Sequence, residues 1–122
     1  MIILDTNMIL RYLLNDNKEM ADEAEKVIKQ GNAGVTIEII AEVVYVLKGV
    51  YSIERDLIKT SLLNFLSEIQ ADEKEVLKVG LEIYGKQNLD FVDCILYAYN
   101  KVKGYEIKTF DKKLKKWLKY EG

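Results

Sequence analysis

The sequence predicts an α/β protein, a three-layer α/β/α sandwich around a short, mostly parallel central sheet. Stretches with a helical apolar period take up most of the chain, and the few β candidates are short, apolar and separated by helices. Parallel strands need helical crossovers and become buried on both faces, so this alternation is their signature. Size and composition agree: 122 residues, 49% hydrophobic and 31% charged with nearly balanced signs, are enough for one globular core. No proline, repeat or low-complexity linker divides the chain, and a single domain over residues 1–122 is expected.

Ile2-Ile3-Leu4 reads as a short buried strand and residues 6–14 as a helix begun directly after it. Residues 17–31 form a second helix, with Met20, Ala24, Val27 and Ile28 on one stripe, closed by Gly31 and Gly34. Gly34-Val35-Thr36 is the next strand candidate, followed by a helix over 37–48 that ends at Gly49. Ser52 is placed to cap a helix over 53–68, and Asp72 with Glu75 gives a capping-box start for 73–87, a helix interrupted by Gly80 and Gly85. Residues 90–103 form a helix stopped by Gly104, residues 106–109 a last strand, and residues 111–119 a short basic helix.

Several function classes are excluded by residues that are missing. The chain has no histidine, which removes Ser-His-Asp and Cys-His catalysis and imidazole-zinc sites. Its one cysteine, Cys94, allows no internal disulfide or thiolate cluster, which fits a reducing cytoplasm. Asp5, Asn7 and Arg11 interrupt the N-terminal apolar run too early for a signal-peptide core or a membrane span. A net charge of −2 gives no global attraction to nucleic acid, so contact with a polyanion requires a local basic patch or bound cations. Catalysis, if present, rests on carboxylates.

In a parallel sheet, residues just past the carboxyl ends of the strands share the edge where such folds place ligands. Asp5 follows the first strand, and Asp111, in Thr109-Phe110-Asp111, follows the last. In the helix over 37–48, Glu42 falls just outside the apolar stripe beside Val46, with Glu38 one turn earlier. In the helix over 90–103 the stripe is Phe91, Val92, Ile95, Ala98, Tyr99 and Val102, and Asp90 and Asp93 lie on its flank. Converging carboxylates repel one another unless a cation joins them, and magnesium or manganese suits an all-oxygen donor set. Asn7 could orient Asp5 or a bound water, and Thr6 and Thr109 could fix the backbone. Each acid also has a plain structural reading: Asp5 and Asp111 as helix caps, Glu38, Glu42 and Asp90 as solvated helix positions.

The segments I-I-L-D-T-N, A-E-V-V-Y-V-L, D-F-V-D-C-I-L-Y-A-Y and I-K-T-F-D, in that order and separation, resemble the PIN-domain ribonucleases, most closely the VapC-type toxins of toxin–antitoxin pairs. The resemblance spans nearly the whole chain. It implies a PIN-like fold with a five-stranded parallel sheet, of which three or four strands are legible here. It assigns Asp5, Glu42, Asp93 and Asp111 to a catalytic site holding one or two Mg2+ or Mn2+ ions, with Asn7, Asp90 and Thr109 in support. Cys94 stands where the family often has alanine. The implied reaction is hydrolysis of RNA phosphodiester bonds by metal-activated water, and the implied partners are RNA, an antitoxin protein and a second copy in a homodimer.

Lys112, Lys113 and Lys116, with Lys115 and Lys119, surround Trp117 and could hold an RNA backbone, although Leu114, Trp117 and Leu118 also make an ordinary packing stripe. Helix 6–14 is apolar around more of its circumference than one core contact requires, and Val50 and Tyr51 add exposed candidates for a partner surface. Two other readings remain. One is a non-catalytic PIN-like scaffold that binds RNA or protein. The other is a phosphoryl-transfer or receiver-type α/β domain, against which Asn7 occupies the place of a second acid and no Gly-rich phosphate loop occurs.

Overall fold

A computed structural model describes residues 1–119; the last three residues of the domain read over 1–122 lie outside the described residues. The fold is the expected PIN-like α/β type, mostly helical around a short, open, parallel sheet. The strands are β1 (Ile2–Ile3), β2 (Ala33–Val35) and β3 (Gln70–Ala71), in spatial order β1-β2-β3. The helices are α1 (Thr6–Leu14), α2 (Lys18–Lys29), α3 (Ile37–Gly49), α4 (Arg55–Leu66), α5 (Lys74–Lys86), α6 (Phe91–Lys103) and α7 (Lys112–Leu118).

Only the central strand is fully buried. Ile2 pairs with Ala33 and Ile3 with Gly34, while Gly34 and Val35 pair with Gln70 and Ala71 on the other side. A side chain at Gly34 would meet the tip of the flexible Met1 side chain at 2.5 Å and the Gln70 carbonyl at 3.1 Å, so glycine eases the close fit of β2 beside β3. The expectation of a buried first strand fails for Ile2 and Ile3, which stay 44% and 50% exposed because β1 is an edge; Leu4, just beyond, is 2% exposed and joins the core.

Three local expectations are also corrected. Residues 106–109 pair with no strand among the described residues, so the last predicted strand is a loop. Ser52 does not cap α4: it has a left-handed backbone, and Glu54 takes the cap position without a side-chain hydrogen bond. Glu73, not Asp72, precedes α5, again without a side-chain capping bond, so no capping box forms. Where caps were read from Asp5 and Asp111, they are present. Asp5 Oδ1 accepts from the Met8 amide at 2.9 Å and Asp111 Oδ1 from the Leu114 amide at 2.7 Å.

The core joins α3, α4, α5 and α6 through Ile40, Val43, Leu62, Phe65, Leu77, Leu81 and Ala98. Gly80 is the close-approach point of α5 and α6, since a Cβ there would stand 2.7 Å from Ile95 Cδ1. Two apolar stripes turn differently from the sequence reading. In α2, Ala21 is buried and Met20 is exposed. In α6, Cys94 and Tyr97 face inward while Val92 and Val102 face out, because α6 packs against α3, α5 and α7 at once. The surplus apolar surface of α1 is largely consumed as well: Met8, Tyr12, Leu13 and Leu14 are half-buried against the core, between α2 and α3. Val50 and Tyr51 do remain exposed. No described helix is long and apolar enough to cross a membrane.

Candidate metal and nucleic-acid site

Asp5, Thr6 and Asn7 lie directly after β1, and Glu42 projects from α3 beside Ile39 and Val46. These residues line one cavity of about 450 Å3. Asp5, Asn7 and Glu42 are exposed, and Glu42 has no ion pair or hydrogen bond among the described residues. Oδ1 of Asp5 is committed to the Met8 amide, and its Oδ2 makes no hydrogen bond among the described residues.

The other acids gather around the start of α6. Asp90 occupies its N-cap position, without a side-chain capping bond, and Asp93 lies in its first turn. Both line a second cavity. Asp93 is half-buried, and its pKa is raised above the usual carboxylate value, first by burial, then by the charges of Asp111 and Asp90. Asp111 is therefore within electrostatic reach of Asp93. The Asp111 amide donates to Thr109 Oγ1 at 3.0 Å, so Thr109 fixes the turn that presents this carboxylate.

Glu42 and the Asp90–Asp93 cavity fall on different flanks of α3, and the acids thus form two banks. In kind, the donors fit a hard divalent ion: carboxylates and a carboxamide, no imidazole, and a Cys94 thiol that is buried with its pKa pushed up to about 12. In spacing, among the described residues no group of three or more acidic or cysteine side chains stands close enough to hold one ion.

Lys112, Lys113 and Lys116 on α7 are all exposed, and Lys113 Nζ donates to the Asn88 carbonyl at 2.6 Å. Leu114 is fully buried and Trp117 and Leu118 are half-buried, so the packing stripe of α7 exists alongside its lysine face.

Sequence reading passed over Arg55. Its Nε donates to the Tyr84 carbonyl at 2.9 Å, its Nη2 donates to the Leu89 carbonyl, and the guanidinium lies 3.8 Å from the centroid of the Tyr84 ring. It lines the cavity that also contains Asp90 and Asp93. A signal was available: arginine occurs at only two positions in a lysine-rich chain, and a planar guanidinium does what an ammonium cannot.

A family model described as PIN domain matches residues 2–117. The chain belongs to the PIN-domain family, whose members are generally nucleases. Comparison with curated proteins and with solved structures returned no match.

Proposed function

We propose that the chain is a divalent-metal-dependent endoribonuclease and the toxin of a toxin–antitoxin pair, acting as one domain in the cytoplasm. The observation that carries the nuclease reading is the bank at α6, where Asp93 is half-buried beside the charges of Asp90 and Asp111 with no cationic side chain paired to it among the described residues. Such an arrangement is costly unless a cation compensates it. Asp5, Glu42, Asp93 and Asp111 are the residues that would hold Mg2+ or Mn2+. When bound, the metal supplies Lewis acidity toward a phosphoryl oxygen and toward water.

The chain's own groups divide the remaining work. Asn7 orients the Asp5 side, Thr109 holds Asp111 in place, and Asp90 adds negative charge without serving as a primary ligand. Lys112, Lys113 and Lys116 attract the RNA backbone, each neutralised phosphate adding to the salt dependence of binding. In the net reaction water adds to phosphorus and one ester P–O bond breaks, its oxygen leaving with the proton that water gives up.

The test is incubation of purified, partner-free protein with a mixed RNA pool, with and without magnesium or manganese, followed by sequencing of the cleavage ends. Discrete cuts that require metal and vanish in Asp5→Asn and Asp93→Asn are expected. Full activity in chelator, or in either variant, overturns the reading. The toxin role is tested separately, by expressing the chain alone and with its neighbouring small gene. Growth arrest relieved by co-expression is expected; a harmless active nuclease leaves the enzyme without the toxin.

A further inference from the structure

Residues 87–90 join α5 to α6 and end at Asp90, so this segment sets where the Asp90–Asp93 bank begins. It belongs to no helix or strand, and its backbone oxygens must find donors from outside it. The donors come from three different helices. Arg55, the first residue of α4, donates from Nη2 to the Leu89 carbonyl and from Nε to the Tyr84 carbonyl at 2.9 Å, so one guanidinium spans the last turn of α5 and the residue before Asp90. Cys94 Sγ of α6 donates to the same Leu89 oxygen at 3.4 Å. Lys113, in the first turn of α7, donates from Nζ to the Asn88 carbonyl at 2.6 Å.

Two features go beyond what satisfying a carbonyl requires. The Tyr84 ring that lies 3.8 Å from the guanidinium meets Phe91, the first residue of α6, edge-on with centroids 5.8 Å apart. Arg55 therefore bears on α6 through packing as well as through Leu89. Lys113, an exposed side chain, gives up rotamer freedom to reach an exposed residue 25 positions away, where water could serve as donor. Its helix is the one that Asp111 caps, so this tie joins the two helix starts that carry Asp111 and Asp93.

We propose that Arg55 and Lys113 are positioning residues of the nuclease site, gripping the Leu89 and Asn88 carbonyls from α4 and α7 to hold Asp90 and Asp93 in place against Asp111. The proposal rests on the nuclease reading and adds two residues to it. Held from two sides, the segment cannot shift without breaking charge-assisted bonds, and a displacement of about 1 Å in a reacting site costs about a hundredfold in rate. Lys113 keeps its attraction for RNA, but one of its ammonium protons is spent on this tie.

The test compares Arg55→Lys, Lys113→Met and Lys113→Arg in the full chain. Arg55→Lys keeps the charge but loses the fork that spans two carbonyls, Lys113→Met keeps the apolar stem without the donor, and Lys113→Arg keeps both donor and charge. Arg55→Lys and Lys113→Met should lower kcat, and Mn2+ affinity by calorimetry, about ten- to hundredfold, with a smaller change in KM. Lys113→Arg should restore both. Lys116→Met, by contrast, should raise KM. In hydrogen exchange without metal, the Cys94 amide, which donates to the Asp90 carbonyl at 2.9 Å, should lose protection in Arg55→Lys and Lys113→Met while amides in the middle of α6 keep theirs.

Variants that melt earlier but leave kcat, Mn2+ affinity and the Cys94 amide unchanged give these side chains a structural role alone and overturn the proposal, with the nuclease left standing. So does a Lys113→Met chain that changes only KM, as Lys116→Met does. If Arg55→Lys fails to fold, Lys113→Met, made at an exposed side chain, decides the matter. A wild-type chain that cuts no RNA removes the nuclease reading and the positioning role with it.

Discussion

Asp5 stands just past an edge strand, exposed, with one carboxylate oxygen held by the Met8 amide, whereas Asp93 sits in the first turn of α6, half-buried, with two other carboxylates in electrostatic reach. Both are candidate ligands, yet the fold treats them differently. At Asp5 the carboxylate also serves the structure, because it closes an open helix end. At Asp93 no capping bond offsets the charge, and burial together with Asp111 and Asp90 makes ionisation less favourable than for a free carboxyl. Asp93, whose ionised form the fold disfavours, is harder to explain by structure alone than Asp5, which caps a helix.

The largest expected effect makes the two banks equal. If both hold the metal, Asp5→Asn, Glu42→Gln, Asp93→Asn and Asp111→Asn should each lower cleavage by about 100-fold or more, since metal-centred charge stabilisation is worth several kcal/mol. Cleavage rates on one defined RNA measure this. Loss confined to the Asp93 bank would break the symmetry and leave Asp5 as a cap only.

Next is the anchor of the second bank. Leu114 is fully buried and is the main apolar tie of α7, whose N-cap is Asp111. Leu114→Ala should cost about 2–5 kcal/mol by denaturant unfolding. By loosening Asp111 it should also bring the Asp93 pKa down, which carboxylate NMR titration can follow.

A smaller effect separates the two duties of Asp5. Asp5→Ala should lose about 0.5–2 kcal/mol of stability with its cap, while Asp5→Asn, an equally good cap, should lose almost none, both being inactive. Thermal melting without metal distinguishes them.

The sign at Asp93 is opposite. A carboxyl whose pKa is raised on folding leaves the native state holding more protons than the unfolded chain between the ordinary and the raised value, so stability falls as pH rises through that window. Asp93→Asn should therefore melt above wild type at pH 7 without metal, and the gain should shrink as pH falls through the window toward the ordinary value of 3.8. Asp90→Asn should have the mildest effect, with metal affinity by calorimetry reduced less than in Asp93→Asn.

Much of this was legible in the sequence where the determining contacts are local. Alternating short apolar runs and amphipathic helices specify a parallel α/β fold, and Asp5 and Asp111 cap helices that begin one residue later, an interaction spanning three residues. Thr109, singled out as the Thr of the last motif, accepts the amide of Asp111 two residues on, again a local contact. Tertiary structure alone decided the rest. The two-residue strand β3 has no apolar run of its own and exists through its pairing with Gly34 and Val35, and the loop over 106–109 stays unpaired although its residues suit a strand. The rotation of α6, which buries Cys94 and Tyr97 and leaves Val92 exposed, follows from packing against several helices at once, a choice its own periodicity cannot make. Arg55 owes its place to carbonyls 29 and 34 residues away. Contacts across such separations depend on how the helices stack, and that is settled only when the whole core closes.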